Sequence, residues 1–233
     1  MSPTISDRIK NITVNGSDGW EVFNKARKMI SNGEKVIELS IGEHDIKTST
    51  NITDAMHKSA LNGNTGYAEM QGLKKLRELI AKRNQERTGD KTNPENIIIT
   101  PGGQAGLFAS HMATCNEGDR ALFLDPYYAT YPGTIRSVGA KAIPIETQSQ
   151  NGFQPTFEEI DLRATGAKTL LINSPNNPTG VVYSKDTFNS IAKAVIKHKL
   201  WLISDEVYDC QIWNGTHPAM VPTAISTACW ACA

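Results

Sequence analysis

Asp205 and Tyr208 stand three residues apart in the stretch Trp201-Leu-Ile-Ser-Asp-Glu-Val-Tyr-Asp209. The apolar run before them reads as a buried strand, so the acid falls where that strand should emerge. In open α/β sheets, ligands bind beyond the carboxyl ends of the strands. An acid there can pair with a cationic group, and a nearby phenol can donate a hydrogen bond. Both roles suit a pyridinium cofactor, whose ring nitrogen an acid keeps protonated so that the ring becomes an electron sink.

Other strand ends carry related chemistry. Gly102-Gly103-Gln104 follows a β-branched run and opens a helix, where backbone N–H groups and the helix N-terminus favour an anion. A plain strand-to-helix turn would look the same. Tyr128 could lay its ring on a flat ligand or cap the sheet. Asn176-Asn177-Pro178-Thr179-Gly180 holds two amides in a proline-bounded loop, able to aim an Asn side chain at an oxygen. Adjacent acids Asp205 and Glu206 could hint at metal, but alternate strand residues face opposite sides.

The elements that must position these groups are legible in the periodicity. Helices are expected from about Ser17 to Gly33, over 52–61, 71–87 and 104–114, up to about 138, and over 185–199. Strands are expected over 36–41, 96–100, 120–124, 141–145, 168–173 and 201–204. From residue 94 onward strand and helix alternate, which predicts a mostly parallel sheet with helices on both faces.

At 233 residues the chain can hold one large α/β domain or two small ones. Its 24 basic residues equal its 24 acidic ones, so no global field favours nucleic acid or an anionic membrane. No apolar run reaches the length of a membrane span, and the N-terminus lacks a signal-peptide core. A cytoplasmic location is the expectation, and there a disulfide framework is not.

From about Val36 to Asp209 the chain resembles class I/II pyridoxal-phosphate aminotransferases of fold type I. The matching motifs are SIGEHD, TGYAEMQGLKKLREL, TPGGQAGLF, DPYYATYP, SPNNPTG and LISDEVYD, in the family's order. The resemblance implies a three-layer α/β/α sandwich and amino-group transfer from an amino acid to a 2-oxo acid with pyridoxal 5'-phosphate. It implies that Asp205 pairs with the pyridine nitrogen and that Asn177 and Tyr208 bond the phenolic oxygen. Tyr128 takes the stacking position, and Gly103 and Gln104 lie in the phosphate-binding turn. Tyr67 resembles the tyrosine that reaches the neighbouring subunit's phosphate, which implies a homodimer in the full-length parent. Gly42 resembles the backbone contact to the substrate carboxylate. His44 stands where the family commonly has proline and reads as a local polar contact.

The family's Schiff-base lysine follows the next strand after the aspartate, and this chain has no lysine beyond Lys199. Lys185, Lys193, Lys197 and Lys199 read as the solvated face of one helix. The expectation is therefore a fragment truncated before its nucleophile, with no catalytic residue and no activity of its own. A non-catalytic pseudoenzyme is the alternative, and a fold type I lyase or decarboxylase shares the same cradle. Residues 1–47 are assigned to an N-terminal arm and small-domain segment, 48–218 to a partial cofactor-binding domain, and 219–233 to an aberrant tail from a frameshift or shortened gene model. The family's topology puts further strands between 96–100 and 201–204. A chain without them would expose sheet edges and apolar faces, an aggregation hazard. Cys210, His217, Cys229 and Cys232 are zinc-ligand types, but their spacing fits no common zinc pattern, and no metal site is assigned.

Overall fold

The computed structural model describes residues 3–13, 20–42 and 45–215. They fall into two compact units: 3–13, 86–90 and 100–215 form the first, while 20–42, 45–85 and 91–99 form the second. His44, His217, Cys229, Cys232 and the stretch 221–233 lie outside the described residues.

The first unit opens with a short helix, α1 (Asp7–Lys10), capped by the Ser6 hydroxyl. The second unit holds α2 (Trp20–Ser31), α3 (Thr50–Leu61) and most of α4 (Lys74–Thr88), whose last turn belongs to the first unit. Arg77 of α4 is buried and donates to the carbonyls of Gly72 and Pro94 at 3.0 and 3.1 Å. Gly72 needs its positive φ of 96° and its bare Cα, because a Cβ there would fall 2.5 Å from Ile99 Cγ1.

Two expected strands are absent from this unit. Residues 36–41 are irregular, with Ile37 and Leu39 almost fully exposed. An apolar alternation becomes a strand only where a partner ladder satisfies its backbone, and no ladder reaches it among the described residues. Residues 96–100 are likewise no strand. A 3-10 turn occupies Pro94–Asn96, with Asn96 accepting from the Asn93 amide at 3.0 Å. Past it, the Ile99 amide makes a bond to the Gln71 carbonyl.

The rest of the first unit is a four-stranded, wholly parallel sheet. Its strands are β1 (Arg120–Asp125), β2 (Lys141–Glu146), β3 (Ala167–Asn173) and β4 (Trp201–Asp205), in the order β2-β1-β3-β4. Its helices are α5 (Gly103–Thr114), α6 (Tyr131–Ser137), α7 (Phe157–Ala164) and α8 (Lys185–His198). Both sheet faces are apolar, and the pleat sorts them. Ala121, Phe123, Leu171 and Ile203 pack with Leu107 of α5 and with Tyr131 and Ile135 of α6. Leu122, Leu124, Leu170, Ile172 and Leu202 pack with Ile160 of α7 and with Phe188 and Ile191 of α8. This is the expected three-layer sandwich, built from near-continuous apolar strands because helices cover both sides.

Helix α7 is an addition to the elements read from sequence. Its N-terminus is a capping box: the Thr156 hydroxyl accepts from the Glu159 amide at 3.2 Å, and the Glu159 carboxylate from the Thr156 amide at 2.8 Å. The T-x-x-E spacing was its local signal. The four lysines of the α8 segment are exposed, as expected of a solvated face, and Lys193 and Lys197 lie over the Phe157 ring.

Candidate functional site

The connections define where a site can form. From β1 the chain crosses through α6 to β2 on one side, whereas after β3 it crosses through α8 to β4 on the other. Loops leaving β1 and β3 therefore diverge to opposite faces and open a crevice between adjacent strand ends. The segments after β1, β3 and β4 meet there. The Asn176 amide reaches the Pro126 carbonyl at 3.4 Å, and Asn173 donates to the Asp205 carbonyl at 2.9 Å.

Asp205 ends β4 with only 7% of its surface exposed. Its Oδ2 accepts from the Tyr131 hydroxyl at 2.8 Å and its Oδ1 from the Val207 amide at 3.2 Å. Among the described residues it has no cationic partner. Burial pushes its carboxyl up from the usual range, and the Glu206 charge adds to this, while the Tyr131 and Val207 hydrogen bonds pull it back. Burial and the Asp205 charge together hold the Tyr131 phenol well above its ordinary value, so it remains a donor.

Tyr131 escaped the sequence reading. It is the third aromatic of DPYYATYP, three residues after Tyr128, and it sits at the first position of α6. A helical spacing from Tyr128 was the only available hint. The rings of Tyr128 and Tyr131 meet edge-on with centroids 5.8 Å apart. Tyr128 is about one-third exposed, and burial raises its phenol.

Asn177 and Tyr208 come together: the Asn177 amide lies 3.4 Å from the Tyr208 hydroxyl. The neighbouring Asn176 has a different job. Its Oδ1 accepts from the Thr179 amide at 3.0 Å and the Thr179 hydroxyl at 2.7 Å, closing the loop on itself. Asn173 accepts from the Asn177 amide nitrogen at 2.7 Å, which sets the loop that presents Asn177.

Gly102 caps α5 with φ 81°, and Gly103 is the helix's first residue. The Gln104 side chain is committed to α6: it accepts from the Thr130 hydroxyl at 2.8 Å and donates to the Thr134 hydroxyl. Gln104 thus ties the start of α5 to the start of α6. What the turn offers an anion is backbone N–H and the helix N-terminus. Gly42 and Tyr67 belong to the second unit, both exposed, Tyr67 completely so. Asp205 and Glu206 send their carboxylates to different partners, Tyr131 and Arg87.

The chain belongs to the aminotransferase class I and II family, whose model matches residues 34–226. It is 34% identical over 220 residues to the arginine–pyruvate transaminase AruH of Pseudomonas aeruginosa, covering 93% of this chain and 56% of that protein. It is 35% identical over 211 residues to an aspartate aminotransferase of Thermotoga maritima, covering 90% of this chain and 55% of that one. Among solved structures, a single mutant of Thermus thermophilus aspartate aminotransferase superposes with a TM-score of 0.89 at 31% identity, covering 97% of this chain and 59% of that one. The chain spans about half the length of the curated relatives it matches. Enzymes of this family depend on pyridoxal phosphate. The groups at the strand ends fit that cofactor by type: a buried carboxylate with no cation among the described residues, a ring about one-third exposed, a paired amide and phenol, and an open helix N-terminus.

Proposed function

We propose that the chain is the cofactor-binding portion of a pyridoxal-phosphate aminotransferase that moves an amino group from an amino acid to a 2-oxo acid. Asp205 carries the reading, because a buried carboxylate with hydrogen-bond donors but no cation suits a protonated ring nitrogen. Asn177 and Tyr208 bond the ring's phenolic oxygen, Tyr128 covers its face, and Gly103 and Gln104 receive the phosphate at the start of α5. Gly42 contributes a backbone contact to the substrate carboxylate, and Tyr67 reaches the phosphate site of a partner subunit in a homodimer of the longer parent. The domain scheme of arm and small-domain segment (1–47), cofactor domain (48–218) and aberrant tail (219–233) belongs to the same reading.

When bound, the cofactor supplies an electron sink for bonds at the amino acid's α-carbon. The residues of this chain would bind and orient it: Asp205 would hold the proton on the ring nitrogen, and Asn177 and Tyr208 would hydrogen-bond the phenolic oxygen. Tyr131 keeps Asp205 ionised and aimed. A cytoplasmic protein of amino acid biosynthesis and metabolism, without membrane or nucleic-acid partners, belongs to the same proposal; among the described residues, no helix is long and apolar enough to cross a membrane.

The test is titration with pyridoxamine 5'-phosphate, which lacks the aldehyde that would react with surface lysines. The chain should bind it, and Asp205→Asn should weaken binding at least tenfold, on the order expected for loss of one charged hydrogen bond. Equal binding by both proteins would sink the assignment. The second reading is a non-catalytic chain, favoured by the exposure of all four lysines of the α8 segment. That reading predicts no new amino acid from any amino acid and 2-oxo acid pair supplied with cofactor. Elimination or decarboxylation products would point instead to a fold type I lyase or decarboxylase.

A further inference from the structure

Three carboxylates crowd the turn after β4: Asp205, Glu206 and Asp209. All three are largely buried, yet only one of them suits a ligand cation. What separates them is Arg87, from the last turn of α4, 119 residues away from Glu206 in sequence. Its Nη2 donates to Glu206 Oε2 at 2.6 Å, and its Nε stands 3.7 Å from Asp209 Oδ2. The other Glu206 oxygen accepts from the Ser204 hydroxyl at 3.0 Å. The Glu206 side chain is 2% exposed, and Arg87 Nε and Nη1 are buried with no hydrogen-bond partner among the described residues.

Such a buried pair adds little net stability, because desolvation offsets most of the Coulomb gain. What it does supply is geometry and sign. Arg87 holds the residues on both flanks of Val207-Tyr208, and the Tyr208 hydroxyl is the group beside Asn177. It also pairs with the charge next to Asp205, leaving Asp205 as the member of the trio without a cation among the described residues. We propose that Arg87 is a positioning residue for the cofactor ring: by engaging Glu206 and Asp209 it sets the turn that aims Asp205 and Tyr208. The proposal rests on the cofactor reading given above.

The test uses pyridoxamine 5'-phosphate labelled with 15N in the ring, at a pH above the free ring's own pKa. The unaltered chain should bind it and show the protonated-nitrogen resonance. Arg87→Met leaves Glu206 as an orphaned buried charge and can unfold the chain, so the deciding variant is R87M/E206Q, which removes both charges. It should melt like the unaltered chain, bind roughly tenfold more weakly because a displaced contact group loses at least that much, and shift the resonance toward the unprotonated position. Unchanged affinity and resonance in the folded double variant would overturn the proposal. A double variant that does not fold would also overturn it, since Arg87 would then support the fold and not the turn. If the unaltered chain does not bind, or D205N binds as well as it does, the cofactor reading falls and takes this with it. Loss with D205N but not with R87M/E206Q removes the Arg87 proposal alone.

Discussion

Asp205 is an ionisable group whose burial works against its charge, and that conflict has measurable consequences. Its carboxyl is held above the usual value of 3.8 by burial first and the Glu206 charge second. A group with a raised folded pKa contributes stability that is fully present below the unfolded value and lost as pH rises through the folded one. Without ligand, Asp205→Asn should therefore melt higher than the unaltered chain at pH 7, and the gap should close as pH falls toward 3.8. Thermal melts across that range check this, and a lower melting point for the variant at pH 7 would contradict it. Tyr131 acts in the opposite sense, since its hydrogen bond lowers the Asp205 pKa. Tyr131→Phe should move the acid limb of pyridoxamine-phosphate binding to higher pH, with the neutral-pH plateau less affected. An unmoved limb would show that Tyr131 does not tune the carboxylate.

At the scale of elements, α5, α7 and α8 each carry a local device with a predictable effect. His111 of α5 is fully buried, donating from Nδ1 to the Leu107 carbonyl at 2.8 Å and leaving Nε2 without a partner among the described residues. Burial lowers its pKa from 6.5, so the unfolded chain takes up a proton before the folded one does. Stability should decline as pH falls below 6.5, and His111→Leu should flatten that part of the curve. In α7, Thr156→Ala removes one side of the capping box and should cost about 1 kcal/mol in chemical denaturation. Lys199 ends α8 in the left-handed region at φ 54°, a conformation glycine adopts without strain. Lys199→Gly should stabilise by about 1 kcal/mol, the order of the left-handed penalty for a residue with a Cβ.

Considered whole, the two units differ in how well they hide apolar surface. The first encloses two cores, one on each side of its sheet, with Leu122, Ile135, Leu170, Ile191 and Ile203 fully buried. The second leaves Ile37, Leu39, Tyr67 and Met70 almost entirely exposed, and β4 is an edge of the sheet. Exposed apolar stretches and open sheet edges favour association with other chains. Light scattering should show the mass of this polypeptide rising with concentration near neutral pH. A single monomeric species throughout would contradict that expectation.

The sequence alone determined the alternation of strands and helices from residue 100 onward, α7 excepted, because buried parallel strands are apolar throughout and their helices carry amphipathic stripes. It also determined the strand-end groups Asp205, Tyr208, Asn177 and Tyr128, whose types are unusual where a chain leaves a sheet. It misjudged 36–41 and 96–100, since a strand needs a partner ladder and an apolar run does not reveal whether one exists. Only tertiary structure decided that Asn176 closes its own loop and that the Asn177 amide meets the Tyr208 hydroxyl, because both contacts depend on how the loop after β3 folds against the turn after β4. Packing alone brought the Tyr131 hydroxyl to Asp205 and Arg87 to Glu206. Those contacts join residues 74 and 119 positions apart, and no local spacing encodes a distance of that kind.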